Sequence, residues 1–161
     1  MAYGENEMAV IGFAALALGI FVLDLLLKNN IEKSLKEGEE KPFCKGRLLI
    51  RKYHNKGAFL DMGEGRQGLV TMLSLGLTLF MTVVFLGTFS FRGNSTLKAG
   101  LALLLGGAYS NTYDRLTRKY VVDYVSFPVK NERFRKIVFN VSDFCIMIGA
   151  LLLAIGETKR K

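Results

Sequence analysis

Two aspartates set at the edges of apolar stretches are the first chemistry this sequence offers. Asp123 sits between Val122 and Tyr124 in VVDY, and Asp143 closes FNVSD at the head of a long apolar run. Two carboxylates held close together in a poorly hydrated site do not both ionise easily; one keeps its proton to unusually high pH while the other stays charged. The charged member can take a proton from water, and the protonated member can donate to a carbonyl oxygen or a leaving amine. That is what peptide hydrolysis requires when no metal or covalent nucleophile takes part. On spacing alone, each aspartate serves equally well as a helix cap or as half of a salt bridge.

Other polar groups gather around the same stretches. Asn111, Asp114 and Arg115 lie at the end of an apolar run that contains the glycine pair Gly106 and Gly107. Ionisable groups where a membrane helix meets water are costly unless paired, which makes them candidates for function. Asp114 adjoins Arg115 and lies four residues before Arg118, so ion pairing is expected to keep it ionised and structural. Asn111 and Asn140 are neutral amides able to hydrogen-bond a carboxylate or a peptide group, or simply to satisfy backbone at helix ends. Asn140 and Asp143 are three apart and are expected to share a helix face, and Asp24 and Lys28, four apart, can pair on one face. The plainer reading of Lys28 is a lysine snorkelling to the membrane edge with its partner beside it.

The elements that must position these groups are apolar runs. Half of the 161 residues are hydrophobic, and the mean hydropathy is +0.27. Met8–Leu27 is interrupted only by Asp24, Leu69–Phe91 carries no charge, Leu97–Tyr113 contains only Lys98, and Ile137–Gly156 contains only Asp143. A spanning helix needs about 20 mainly apolar residues. The sequence therefore predicts an all-α membrane protein, one domain over residues 1–161, with four transmembrane helices at about 8–27, 69–91, 97–113 and 137–156. In the third run Ala102, Gly106 and Ser110 recur at four-residue steps, a spacing of small residues that lets membrane helices approach closely. Gly107, Asn111 and Arg115 form the neighbouring ridge, which is expected to deliver polar groups to the helix end.

The polar segment Lys28–Gln67 separates the first two runs. Its first part reads as surface helix or loop. Leu49, Ile50 and Tyr53 among basic residues suggest a strand, and Asn55-Lys56-Gly57 is a turn signal. A small extramembrane β/loop subdomain is expected here, with glycines 63, 65 and 68 leading into the second run. Val121–Val125 is expected to be a short strand or extended surface segment stopped by Pro128. The first run lacks a basic leader and a small-residue cleavage site, so it reads as a span and not as a cleaved signal. Cys44 and Cys145 lie far apart with a lone His54, a pattern that argues against a metal site or disulfide framework. The net charge of +8 is better accounted for by anionic lipid headgroups than by nucleic acid.

Taken together, the motifs resemble those of the signal peptidase II family, the membrane aspartyl peptidases that process bacterial lipoproteins. Asp24-x-x-x-Lys28, Asn55-x-Gly57-Ala58, GGAYSNTYDR at 106–115, VVDY at 121–124 and FNVSD at 139–143 are similar, in order, to the family's boxes. The resemblance implies a catalytic pair at Asp123 and Asp143. It places Asp24, Lys28, Asn55, Gly107, Asn111, Asp114, Arg115 and Asn140 at the other motif positions, with Asn111 and Arg115 shaping the substrate site. It implies no cofactor, diacylglyceryl-modified prolipoproteins as substrates entering from the bilayer lipid, and a multi-pass protein of the bacterial cell membrane with its site near the outer face. The chain departs from the family pattern at Leu25, Ser110, Tyr124 and Ser142, which suggests a divergent branch. The ten Lys and Arg between Lys28 and Arg66 favour the opposite orientation by the positive-inside rule. A non-catalytic membrane module, such as a transporter subunit or a lipopeptide binder using the same carboxylates, is the alternative from another class.

Overall fold

The computed structural model describes residues 2–57, 65–90 and 93–158, with no side-chain description at 2–7, 132–133 and 157–158. Ala58 of the NxGA-like motif, Gly63 and the basic tail from Lys159 lie outside the described residues. The element order is α1 (Ala2–Ser34), β1 (Glu40–Phe43), β2 (Leu48–Asn55), α2 (Gln67–Thr88), α3 (Ser95–Thr117), β3 (Val121–Ser126), α4 (Glu132–Arg135) and α5 (Val141–Thr158). The four long helices correspond to the four apolar runs, and the three strands form one antiparallel sheet in the order β1-β2-β3.

α3 is the central helix and packs against α1, α2 and α5. Glycine allows this. A Cβ on Gly106 would lie 2.7 Å from the Ala17 carbonyl oxygen of α1, and one on Gly107 would lie 2.5 Å from the Ser142 carbonyl oxygen of α5. Both ridges of α3 therefore pack against neighbours, one on each side, where the sequence suggested packing for only one. Further along, Gly100 and Gly149 face each other's backbones across the α3–α5 contact. Close approach of this kind replaces the hydrophobic drive that helices in lipid lack.

The outer helices show the complementary pattern. Met72, Val83 and Met8 are each about two-thirds exposed or more, as a surface solvated by lipid requires. By length and composition α1 from Met8 and α2 are long and apolar enough to cross a membrane, whereas α5 is a shorter apolar helix. α3 is enclosed by the others and can therefore carry Lys98, Ser110, Asn111, Thr112 and Asp114 in buried positions. Lys98, near its start, lies over the Phe89 ring at 5.2 Å.

Two boundaries differ from expectation. α1 continues to Ser34, well past the apolar run. α5 starts at Val141, not at Ile137, because Asn140 stops short of the helix and caps it: the Asp143 backbone N–H donates to Asn140 Oδ1 at 2.9 Å, and the Asn140 N–H donates to Asp143 Oδ2 at 3.0 Å. This reciprocal arrangement is a capping box, so the pair meets across a helix start and does not share a helix face. Ahead of it, Phe139 is bridged to Val125, with N–H to carbonyl bonds of 2.7 Å in both directions. The sheet and the head of α5 are thereby stitched together. Beneath them Ile31, Leu35, Val122 and Tyr124 form a buried cluster.

β1 was not anticipated. It is an exposed edge strand in which Pro42 is tolerated because that edge needs no further donor. The turn back to β2 has Cys44, Lys45 and Gly46 at positive φ. β3 is a strand as expected but buried along most of its length, not a surface segment.

Candidate active site

Asp123 comes from β3 and Asp143 from the first turn of α5, and both face one cavity of about 670 Å³, a volume typical of small-ligand sites. Asn55, Asn111 and Arg115 share its wall, while Leu77, Met81 and Ile146 line its apolar side. Asp123 lies opposite Tyr53 of β2, next to an irregularity in the β2–β3 register between Ile50 and Tyr53. Irregularities of this kind re-aim side chains beside active sites.

Three amides hold the two carboxylates. Asn140 Nδ2 donates to Asp123 Oδ1 at 2.6 Å, while its backbone N–H and Oδ1 engage Asp143 as described, so one residue spans the pair. Asn55 Nδ2 donates to Asp123 Oδ2 at 3.0 Å, and its Oδ1 accepts the Gly57 N–H at 3.0 Å. That turn orients the amide with its donor face toward the carboxylate. Asn111 Nδ2 donates to Asp143 Oδ1 at 2.9 Å. Its Oδ1 accepts from Lys28 Nζ at 2.8 Å; an ammonium only donates, which fixes the Asn111 amide the other way round.

No cation touches either carboxylate directly among the described residues. Arg115 is the nearest positive group on the cavity wall; it donates to the Asn111 and Gly57 carbonyl oxygens at 3.3 and 3.1 Å, tying α3 to the turn after β2. Asp123 is 2% exposed. Burial, reinforced by the neighbouring Asp143 charge, pushes its carboxyl up to about 8. At neutral pH Asp123 therefore holds a proton, the condition for a pair in which one member is an acid and the other a base.

The remaining predicted positions form a second cluster behind Asn111. Lys28 Nζ lies 2.8 Å from Asp24 Oδ2 and 3.2 Å from Asp114 Oδ2, with all three side chains fully buried. Lys28 does not snorkel: it is the buried cation shared by two carboxylates and by the Ser110 hydroxyl and the Asn111 amide. Asp114 pairs with Arg118 at 2.9 Å, not with its neighbour Arg115, and accepts the Val122 N–H at 3.1 Å. It thus fixes the start of β3 to the end of α3. Arg118 also donates to Asn29 Oδ1 of α1. Asp24 accepts from Ser110 Oγ at 2.6 Å, Ser142 Oγ at 2.5 Å and Tyr124 OH at 2.7 Å. Sequence reasoning took those three hydroxyl residues for departures from a motif; nothing local in the sequence signals their convergence.

The family model for signal peptidase (SPase) II matches residues 16–159. The chain belongs to the signal peptidase II family. Its relatives include the lipoprotein signal peptidase of Cupriavidus pinatubonensis, 32% identical over 91% of this chain and 82% of that one. That of Ralstonia nicotianae is 35% identical over 90% and 84%, and that of Clostridium acetobutylicum 31% identical over 86% and 88%. A solved structure described as a bacterial membrane enzyme, determined by the in meso method at 2.3 Å resolution, superposes with a TM-score of 0.78 at 23% identity, covering 92% of this chain and 88% of that one. It supports the four-helix membrane fold with its small sheet. Members of the signal peptidase II family are aspartic peptidases that cleave signal peptides from prolipoproteins. Among the described residues, no group of three or more His, Cys, Asp or Glu is placed to hold a metal ion.

Proposed function

We propose that Asp123 and Asp143 are the catalytic pair with which this signal peptidase II removes signal peptides from prolipoproteins. The observation that carries the assignment is the contrast in partners. Of the four aspartates around Asn111, three of them buried and Asp143 partly so, only Asp123 and Asp143 face the cavity, and only these two are held by side-chain amides. In this reading the pair shares one proton, carried by Asp123 at neutral pH, and Asp143 is the carboxylate that accepts a proton from water as that water attacks the scissile carbonyl. Asp123 gives its proton to the carbonyl oxygen, forming a tetrahedral diol. Collapse of the diol breaks the C–N bond: one diol hydroxyl returns its proton to Asp123 as the carbonyl re-forms, and the proton taken up by Asp143 passes to the leaving amine. Water supplies the nucleophile, so no acyl-enzyme forms.

Arg115, Asn111 and Asn55 shape the peptide-binding wall, and Gly107 keeps α5 close enough for Asp143 to reach it. Cleavage falls before a diacylglyceryl-modified cysteine, with the acyl chains admitted from the bilayer along the apolar side between α2, α3 and α5. The protein is a multi-pass component of the bacterial cell membrane with spans near 8–27, 69–91, 97–113 and 141–156, and its site opens near the outer face. Its partners are lipidated precursors and membrane lipid, not nucleic acid.

Asp123→Asn and Asp143→Asn are nearly isosteric and cannot carry the proton traffic. Each is expected to lower cleavage of a lipidated signal-peptide substrate by about 10²–10⁴-fold while the purified protein still melts cooperatively. Near-native turnover by either variant would sink the assignment. Cys44, exposed on the β1–β2 turn, tests the orientation. It should react with a membrane-impermeant maleimide in intact cells, and the signal should vanish in Cys44→Ser. Labelling only after permeabilisation would place the sheet, and the site beside it, on the cytoplasmic side.

A further inference from the structure

We propose that Tyr124 is a positioning residue for the catalytic pair: its hydroxyl holds the head of α5 against β3 and α1, and so sets how Asp123 and Asp143 face each other. The inference rests on the reading of those two aspartates as the active pair. Tyr124 is the residue next to Asp123 on β3. Its hydroxyl donates to Asp24 Oδ1 of α1 at 2.7 Å and accepts the backbone N–H of Val141, the first residue of α5, at 3.2 Å. Two residues further along is Asp143. One phenol therefore joins the strand that carries one carboxylate to the helix start that carries the other.

The anchor on the far side is built for rigidity. Asp24 is fully buried and its second oxygen accepts from Ser110 of α3 and Ser142 of α5 as well as from Lys28. Four elements, α1, α3, β3 and α5, thus meet on a single carboxylate. Burial, with the Asp24 charge next, raises the Tyr124 hydroxyl above its ordinary range, so at neutral pH it is a protonated donor. The side chain itself is 4% exposed and packed with Ile31, Leu35 and Val122. It does not line the cavity. Its influence on the reaction runs through Asp143.

Two variants remove the link from opposite ends. Tyr124→Phe deletes the hydroxyl but keeps the ring, and Asp24 retains Lys28 and two serines. Val141→Pro deletes the N–H that the hydroxyl accepts. Proline is well tolerated at the first position of a helix, and Asn140 ahead of it is a capping residue, for which an extended backbone is normal. Displacement of a reacting group by about 1 Å can cost about 10²-fold, so both variants are expected to lower kcat by about 10- to 100-fold with KM for the lipidated substrate little changed. Both should also move the alkaline limb of kcat/KM to lower pH. Asp123 faces Asp143 from α5, Arg115 from α3, Lys28 from α1 and the amides of Asn55 and Asn140. Only the placement of Asp143 and the dryness of the site change when α5 loosens, and either change lets Asp123 ionise sooner.

Ser110→Ala is the control. It removes a hydroxyl from Asp24 without touching the head of α5, and should lower Tm with the alkaline limb unmoved. Wild-type kcat and an unmoved limb in both Tyr124→Phe and Val141→Pro would overturn the proposal, as would a loss confined to Tm and matched by Ser110→Ala. Should Tyr124→Phe fail to fold, Val141→Pro decides alone. Activity retained in Asp123→Asn and Asp143→Asn would instead unseat the catalytic pair, which keeps the two failures distinct.

Discussion

Two pairs of aspartates lie on either side of Asn111, all buried except the partly buried Asp143, and they are treated in opposite ways. Behind it, Asp24 and Asp114 are fully buried but each has a cation within about 3 Å, Lys28 for both and Arg118 for Asp114. In front of it, Asp123 and Asp143 are held by Asn55, Asn111 and Asn140, with Arg115 directed at backbone carbonyls nearby. A buried carboxylate with a cation at hydrogen-bond distance has its charge compensated and is chemically quiet. One surrounded by neutral donors has its geometry fixed while its proton stays negotiable. In the proposed reading the same residue type does structural work in one cluster and acid–base work in the other, and the partners decide which.

The largest disruption expected in the structural cluster is that of Asp114→Ala. It leaves Lys28 short of one partner and Arg118 with only the more distant Glu32 carboxylate at 4.0 Å and the Asn29 amide, and it frees the Val122 N–H. Breaking a buried pair from one side costs roughly 3–5 kcal/mol, read as a fall in Tm or in yield of folded protein in detergent. A variant that melts like the wild type but has no activity would mean that Asp114 belongs with the catalytic pair, and the comparison would fail.

Asn111 is where the two clusters touch, so Asn111→Leu should damage both. Lys28 would lose an acceptor in a buried hydrogen bond and Asp143 a donor in a partly buried one; leaving a buried partner unsatisfied costs about 1–3 kcal/mol. The expected result is a moderate fall in Tm together with a fall in kcat. A change in only one of the two would show that Asn111 serves a single cluster.

A smaller effect separates the clusters by sign. The folded-state pKa of Asp123, about 8, lies above the ordinary carboxyl value of 3.8, so between those values the folded protein binds more protons than the unfolded chain. Its contribution to stability is complete below the lower value and is lost as pH rises through the higher one. Wild-type Tm should therefore decline between about pH 5 and about pH 8, and Asp123→Asn should remove that decline and match or exceed the wild type at the alkaline end. A wild-type Tm that rises across this interval would show the carboxylate to be stabilised in its charged form.

How much of this was legible in the sequence depends on the range of the interaction. Hydropathy located all four long helices: the outer ones because a lipid-facing surface must be apolar, and the enclosed α3 because most of its buried positions are apolar or small. The two catalytic candidates were legible as carboxylates at the edges of apolar runs. The burial of Lys28 was not: its partners Ser110 and Asn111 are 82 and 83 residues away, and the local pair Asp24–Lys28 looks the same at a wet membrane edge as in a dry core. The start of α5 was misplaced although its signal was present, since Asn140-Val141-Ser142-Asp143 has the spacing of a capping box and hydropathy alone runs through it. β1 was missed because an exposed four-residue edge strand containing Pro42 has almost no pattern of its own. Ser110, Tyr124 and Ser142 each looked like an isolated departure, and only the fold brings their hydroxyls to Asp24.

The most direct test of the division between quiet and active carboxylates is the pH dependence of kcat/KM for cleavage of a diacylglyceryl-modified precursor by the wild-type protein in detergent. One protonated and one ionised aspartate require a bell-shaped profile, whose limbs report the acid and the base of the free enzyme. The alkaline limb should fall near the value of about 8 reached by Asp123, and Asp123→Asn should show no such limb in whatever activity remains. A wild-type rate that holds its plateau to about pH 10 would mean that no carboxyl proton is needed, and would contradict the account.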